Sequence, residues 1–273
     1  MISPRTGLWN LELGEVWRYR DLVMLFVYRD FVTFYKQTIL GPVWFVIQPV
    51  LSTVLYMFIF GRVAGLSTDG IPQVLFYLSG VTAWNYFAEC VQKTSNTFTL
   101  NANMFGKVYF PRLIVPVSVV ISNLMKLGIQ LLLFIGVLVY YIIQKDYPVP
   151  VASLWMVPLL ILMMATLGLG AGLTISSLTT RYRDLQFLVQ FGIQLMMFVT
   201  PVVYPLSMIP EQHRWWLSLN PMTTVIEGFR YAFLGTGNLD ALSVGYSVGV
   251  TILLLLTGLV VFQKVEKSFI DTV

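Results

Sequence analysis

The chain has 273 residues, of which 57% are hydrophobic and only 11% are charged. A soluble globular chain carries about a quarter charged residues, so this composition excludes an ordinary water-soluble protein and favours an integral membrane protein. The lone Cys90 cannot form an internal disulfide, and the lone His213 has no second histidine with which to build a zinc site.

The N-terminal 41 residues contain five Arg or Lys residues. They contain no apolar run followed by a small-residue cleavage site, so no signal peptide is expected. Residues 15–36 predict an amphipathic interface helix, because apolar side chains share one arc of the helix while Arg18, Arg29 and Lys36 share the other. Such a helix lies in the cytoplasmic membrane interface. The alternative is a basic segment beside the membrane that only anchors the chain.

Six apolar runs predict the fold, because each is long enough to cross a hydrocarbon core of about 30 Å. The predicted fold is an all-α integral membrane protein with one domain, 1–273, and six transmembrane helices near 42–60, 71–92, 113–143, 151–178, 185–203 and 244–262. The connections on the side of both termini carry twelve of the 17 Lys and Arg residues, and the opposite side carries four. The excess of positive charge predicts an inner-membrane protein with both termini in the cytoplasm.

Polar side chains recur at a spacing of four within the predicted spans, which places them along one face of each helix. Such faces favour a hydrated channel, because polar groups are costly to turn towards lipid. Hydrogen bonds between packed helices are the alternative for the polar residues, and enrichment at the membrane interface is the alternative for the aromatic ones. The channel-lining candidates are Trp44, Gln48, Ser52, Tyr56, Tyr77, Trp84, Phe87, Ser122, Lys126, Gln130, Gln190 and Gln194.

The fourth span has small residues at a spacing of three or four, at Ala165, Gly168, Gly172 and Ser176. Small residues let two helix backbones approach closely, so we expect this stripe to serve helix packing.

The connection between the fifth and sixth spans, residues 204–243, is unusually long. It contains two aromatic-rich pieces near 211–219 and 222–234, which are too short to cross the membrane. They predict re-entrant helices, which are tolerated at membrane depth only where protein or a water-filled cavity covers them. A surface loop of short helices is the alternative.

The sequence contains no phosphate-binding loop of the form G-x-x-x-x-G-K-[ST]. A transporter with this sequence, if it is driven by ATP, therefore needs an ATPase on another polypeptide.

Short motifs occur in a definite order from about residue 15 to the C-terminus. They are Leu40-Gly41-Pro42 with Trp44 and Gln48-Pro49, Leu78-Ser79-Gly80 followed by Trp84-Asn85, Asn101-Ala102-Asn103 leading to Lys107-Val108-Tyr109-Phe110-Pro111-Arg112, Arg181-Tyr182-Arg183-Asp184, Thr200-Pro201-Val202-Val203-Tyr204-Pro205, and Leu219-Asn220-Pro221 with Glu227 and Arg230. In order and spacing they resemble the permease subunits of ABC transporters that export O-antigen, capsule and teichoic-acid polysaccharides.

The resemblance implies a homodimer around one channel, which moves lipid-linked polysaccharide out of the cytoplasm, and two copies of a separate ABC ATPase. ATP and Mg then bind the ATPase, and this chain is expected to have no cofactor, no metal, no enzymatic activity and no nucleic-acid partner.

The resemblance also implies roles for particular segments. Residues 99–110 look like the coupling helix that contacts the ATPase, and residues 205–235 look like external gate helices. The candidates are Asn101, Asn103, Phe105 and Lys107 for coupling, Leu40, Gly41 and Pro42 for the substrate entrance, and Trp215, Trp216, Glu227, Arg230 and Tyr231 for the gate.

Two rival functions remain open at this point. One is an ABC permease for a drug or a small lipid, which would have the same architecture with a more apolar cavity. The other is an intramembrane enzyme, for which Glu89, Asp184 and Lys126 would be the candidates, although no paired carboxylates accompany them.

Glu89 and Lys126 are charged residues inside predicted spans. Consecutive spans run antiparallel, and at 1.5 Å per residue the two residues lie at similar depths from the 99–112 connection. Because charges in the membrane usually pair or face water, we predict that they meet. The alternative is that Lys126 faces the channel alone and contacts a phosphate of the lipid carrier.

Overall fold

The structure is a computed structural model that describes residues 13–36, 39–108, 110–180, 182 and 184–270. Tyr109, Arg181 and Arg183 of the motifs above, and the side chain of Asn103, lie outside the described residues. The described residues form helices and no strands, which confirms the all-α prediction. The helices are α1 (Leu13–Arg18), α2 (Arg20–Lys36), α3 (Trp44–Tyr56), α4 (Gln73–Ser95), α5 (Thr97–Phe105), α6 (Ile114–Lys145), α7 (Met156–Thr179), α8 (Leu185–Val199), α9 (Glu211–Ser218), α10 (Pro221–Leu234) and α11 (Ala241–Ile270).

The predicted interface helix is divided into α1 and α2 by a turn at Tyr19, whose carbonyl accepts hydrogen bonds from the backbone of Leu22 and Val23. Val23 and Val27 are buried where α2 packs against α6, whereas Trp17 and Met24 are exposed. The apolar side chains of this segment therefore point in two directions. Those on one side pack against the bundle, and the exposed ones on the other side can contact lipid.

Within the part of the chain that the structure describes, four helical segments have the length and the apolar composition to cross a membrane: Gly41–Val63, Ile114–Lys145, Met156–Thr179 and Ala241–Glu266. The first joins a short 3-10 turn, α3 and a π-helical turn at Met57–Val63. The other two predicted spans correspond to α8, which is apolar but has 15 residues, and to α4, which has 23 residues.

Helix α4 lies at the centre of the bundle, where it contacts α3, α6, α7, α8 and α10. Sixteen of its residues are buried, including the polar Ser79, Thr82 and Thr94. Its surroundings are thus mainly other helices of the chain, and this explains how a helix with many polar residues lies inside an apolar bundle.

Helix α7 packs against α4 on one side and α11 on the other, and both contacts depend on glycine. A Cβ at Gly172 would lie 2.5 Å from the Cβ of Thr94 on α4, and a Cβ at Gly170 would lie 2.6 Å from the backbone nitrogen of Leu255 on α11. The Gly172 contact confirms the packing role predicted for the small-residue stripe. Gly170, on the opposite side of α7, extends the same device to α11.

Candidate functional site

Helices α3 and α8 carry the polar candidates that are accessible on the surface of the chain. Gln48, Gln190 and Gln194 are exposed, as is part of Trp44, and Ser52 and Tyr56 are half-buried. The Tyr56 hydroxyl donates to the sulfur of Met197 at 3.6 Å, so the two helices touch at this point. None of the residues of α8, all of which the structure describes, is buried.

Four other channel-lining candidates lie in the interior of the bundle. Tyr77, Trp84, Phe87 and Gln130 have exposed fractions of 0, 3, 7 and 1%. The three aromatic residues belong to the main hydrophobic core, where the rings of Trp84 and Phe87 contact each other at 5.5 Å between centroids. In this structure other parts of the same chain cover all four side chains, so none of them belongs to the surface of the chain.

A cluster of charged and amide groups joins α4 to α6. The predicted contact is present, since the Lys126 ammonium forms a salt bridge with the Glu89 carboxylate. The same carboxylate lies 3.6 Å from Lys93, which donates to the Asn123 side chain at 2.9 Å. Lys126 also lies 5.3 Å from the centre of the Phe45 ring on α3. One carboxylate therefore serves two lysines, and the cluster connects three helices.

Ser122, one turn before Lys126 on the same helix, donates its hydroxyl to the Val119 carbonyl at 3.0 Å. Its polar group is thus bonded within α6, which is how a hydroxyl is accommodated in a membrane helix without another partner.

The segment predicted to couple to the ATPase, residues 99–110, begins within α5, a helix of nine residues that ends at Phe105. Phe105 is buried against other aromatic residues, and Asn101 donates to the Thr97 carbonyl at 2.9 Å within the helix. Lys107 is exposed. Leu100 is 76% exposed, although it was not among the candidates.

The predicted substrate entrance lies between α2 and α3. Gly41 is buried at φ +50°, a left-handed conformation that glycine adopts without cost, and Pro42 follows it at the start of a 3-10 turn. Leu40 is partly exposed and Ile39 fully so. A tight turn therefore presents two aliphatic side chains at its tip.

Two of the gate candidates form a buried ion pair. The Arg230 guanidinium bonds to the Glu227 carboxylate at 3.1 Å and to the Val202 carbonyl at 2.9 Å, and it lies 3.7 Å from the centre of the Phe76 ring. Glu227 also accepts from the backbone nitrogen of Asn238 at 3.1 Å. This pair fastens α10 to α4, to the connection that follows α8 and to the connection that follows α10.

The remaining gate candidates are accessible. Trp215 and Trp216 on α9 are exposed and stack on each other with ring centroids 4.1 Å apart, and Tyr231 on α10 is partly exposed. At the end of α10, the Tyr147 hydroxyl donates to the Leu234 carbonyl at 3.0 Å. Burial raises the pKa of the Tyr147 phenol.

Comparison with known proteins extends across most of the chain. The family profile for the ABC-2 type transporter matches residues 21–234. An O-antigen export system permease protein, RfbA, from Klebsiella pneumoniae is 31% identical over 92% of this chain and 94% of its own. RfbA from Myxococcus xanthus is 26% identical over 95% and 98%, and the polysialic acid transport protein KpsM from Escherichia coli is 21% identical over 89% and 93%.

Proposed function

The chain belongs to the ABC-2 type transporter family of membrane proteins, and from that membership we propose that it is the permease subunit of an ATP-driven polysaccharide exporter. Its substrate would be a lipid-linked polysaccharide that moves from the cytoplasm across the inner membrane. The observation that carries this proposal is the nearly full-length similarity to permeases named for O-antigen export. In this proposal the chain moves the polysaccharide without catalysing a reaction, and ATP with Mg would bind a partner subunit.

The proposed channel lies between two copies of the chain, along α3 and α8. Gln48, Gln190 and Gln194 have exposed amides on these helices. An amide that faces hydrocarbon without a partner costs several kcal/mol by the usual transfer estimates, so lipid is an unfavourable neighbour for three of them. A second copy that encloses water at this face removes that cost. A hydroxyl-rich polymer can then exchange water for amide partners at little net cost.

Crosslinking of introduced thiols with a bifunctional maleimide tests this arrangement, because such a reagent can reach across a channel that is too wide for a disulfide. Because Cys90 is the sole cysteine and is buried, Gln194→Cys introduces one accessible thiol. We expect a crosslinked dimer from Gln194→Cys and none from Leu132→Cys, an exposed control position on α6. Crosslinking at both positions or at the control alone would contradict the proposed interface.

The proposed docking surface for the ATPase is the outer side of α5 and the turn after it. Leu100 and Val108 are exposed apolar residues there, and Lys107 adds a positive charge. An exposed apolar side chain beside a charged rim is the usual composition of a small protein interface. Phe105 would contribute by supporting this surface from behind, since it is buried.

The proposed topology has six spans, with α4 and α8 added to the four apolar segments. Helix α4 is long enough at 1.5 Å per residue, and α8 together with the buried turn at 200–203 can cover most of the same thickness. The distribution of Lys and Arg supports a cytoplasmic location for both termini.

Helices α9 and α10 are proposed to be re-entrant gate helices at the outer mouth of the channel. The ends of α10 are satisfied by protein groups, because the Asn220 side chain accepts from the Met222 backbone nitrogen at 3.0 Å and the Tyr147 hydroxyl donates to the Leu234 carbonyl at 3.0 Å. Satisfied ends are the condition for short helices at membrane depth. Slow labelling of Trp215→Cys from outside by a bulky water-soluble reagent would support this, and rapid labelling would contradict it.

A cell that lacks the chain tests the proposed function. Loss of surface polysaccharide with accumulation of its lipid-linked form in the cytoplasm is the expected result, and the wild-type chain should restore export. Normal surface polysaccharide together with sensitivity to a drug or a change in lipid composition would instead favour a permease for a small amphipathic molecule.

A further inference from the structure

Five phenylalanine rings connect α5 to α2 on one side and to α11 on the other. In order of contact they are Phe26 on α2, Phe110 before α6, Phe105 and Phe98 on α5, and Phe262 on α11. Successive ring centroids are 5.8, 5.8, 6.0 and 4.6 Å apart. All five are buried in one cluster, which we call the phenylalanine cluster. Close-packed interiors compress little, so α5 cannot shift without moving α2 and α11.

A polar connection runs parallel to the phenylalanine cluster. The backbone nitrogen of Arg112 donates to the Glu266 carboxylate at 3.1 Å, and the Arg112 guanidinium donates to the Glu266 backbone carbonyl at 3.1 Å. The same guanidinium lies 5.3 Å from the centre of the Phe105 ring. The start of α6 and the end of α11 are therefore joined at the point where the rings meet.

Helix α11 connects the phenylalanine cluster to the centre of the bundle through its packing against α7. Helix α11 packs along α7 so closely that a Cβ at Gly258 would lie 2.5 Å from the Gly170 carbonyl oxygen, and α7 in turn contacts α4. Leu100, on the opposite side of α5 from Phe98 and Phe105, is the exposed point at which a partner can press.

We infer that Phe262 and Glu266, both on α11, are positioning residues for energy coupling. They hold α5 in a fixed position relative to α11 without contacting the ATPase themselves. The inference rests on the proposed function, in which α5 receives the ATPase. It assigns to the C-terminal helix a part in converting ATP turnover into export, in addition to its part in the helix bundle. Phe262→Leu removes the stacked ring but keeps an apolar side chain, and Glu266→Ala removes the carboxylate acceptor.

The test measures glycan exported per ATP hydrolysed by the complete transporter, the two subunits together, in liposomes. Phe134→Leu is the matched control, because Phe134 is equally buried and its ring contacts that of Phe233 at 5.1 Å in the main core, away from the phenylalanine cluster. Glu266→Gln is a second control, because its amide oxygen still accepts from Arg112.

We expect Phe262→Leu and Glu266→Ala to lower the export per ATP by roughly tenfold, within the usual range of coupling between sites. Phe134→Leu should lower the thermal stability as much as Phe262→Leu does but leave the export per ATP unchanged. Glu266→Gln should leave both the thermal stability and the export per ATP unchanged. If Phe262→Leu does not assemble, the contrast between Glu266→Ala and Glu266→Gln decides. An unchanged ratio in Glu266→Ala overturns the inference. A wild-type complex whose ATPase does not respond to glycan overturns the proposed function, and the inference with it.

Discussion

Replacing Glu89 by glutamine removes a carboxylate that two lysines share. The side chains of Glu89 and Lys126 are 22 and 12% exposed, so water screens their attraction only in part. After the replacement Lys126 keeps the Phe45 ring as a neighbour, while Lys93 keeps the Asn123 amide. Lys126 is then a largely buried cation without an ionic partner.

The expected cost follows from which group is left unpaired. Removing one partner of a buried pair costs about 3 to 5 kcal/mol, and because the pair is partly exposed we expect about 3 kcal/mol for Glu89→Gln. Lys126→Met should cost less, about 1 to 2 kcal/mol, because Glu89 still has Lys93 at 3.6 Å. The order of the two values distinguishes a shared carboxylate from an isolated pair.

The assay is denaturant unfolding of the purified chain in detergent, with export in cells as a second measurement. The double variant Glu89→Lys with Lys126→Glu should recover most of the stability and export that each single variant loses, apart from a small repulsion between position 89 and Lys93. Glu211→Gln is the control, because Glu211 is 90% exposed and its contact with Arg214 is long, at 3.9 Å, so no measurable loss is expected. A double variant as inactive as Lys126→Glu alone would refute the pairing argument.

Three further changes test other parts of the structure. Gly170→Ala should destabilise the chain by about 2 kcal/mol, because the new methyl group meets the backbone of α11. Gly128→Ala is the control, because among the described residues nothing outside its own stretch of helix lies within 4 Å of the added Cβ. Denaturant unfolding distinguishes the two variants. Leu100→Ala should leave stability within about 0.5 kcal/mol of wild type and weaken capture of the ATPase about tenfold in a pull-down titration, and unchanged capture would contradict the docking surface. Arg230→Met should cost about 3 to 5 kcal/mol by leaving Glu227 buried without its cation, and the pair Glu227→Gln with Arg230→Met should cost less; equal costs would refute the ion-pair account.

The contact between Glu89 and Lys126 was predictable because it depends only on the order of the apolar runs and on the depth of each residue within its run. Two opposite charges stand in consecutive antiparallel apolar runs, and the rise per residue fixes their depths. The burial of Glu227 and Arg230 had a comparable signal, a spacing of three within a helix, which fits an ion pair as well as a gate.

The channel-lining prediction for Tyr77, Trp84 and Phe87 depended on information that one sequence lacks. Periodicity shows that residues share a face of a helix, but it does not show which neighbour covers that face. Helix α4 lies at the centre of the bundle, so its aromatic side chains belong to the hydrophobic core. The same reason placed Phe105 inside and left Leu100 outside on α5.

The break at Tyr19 and the π-helical turn at Met57–Val63 had no clear local signal. No glycine or proline stands beside Tyr19, and Gly61 lies at the fifth position of the π-helical turn, after the regular helix has already ended at Tyr56. Packing against other helices, rather than propensity, must determine such features.

The central claim is that this chain passes lipid-linked polysaccharide through the membrane with energy from a partner ATPase. The most direct measurement places the purified complex in liposomes and follows both ATP hydrolysis and the appearance of glycan on the side opposite to the ATPase. The account predicts that a defined lipid-linked polysaccharide stimulates turnover and crosses the membrane only when ATP is present. Stimulation by small lipids or drugs, with no movement of the glycan, would contradict it.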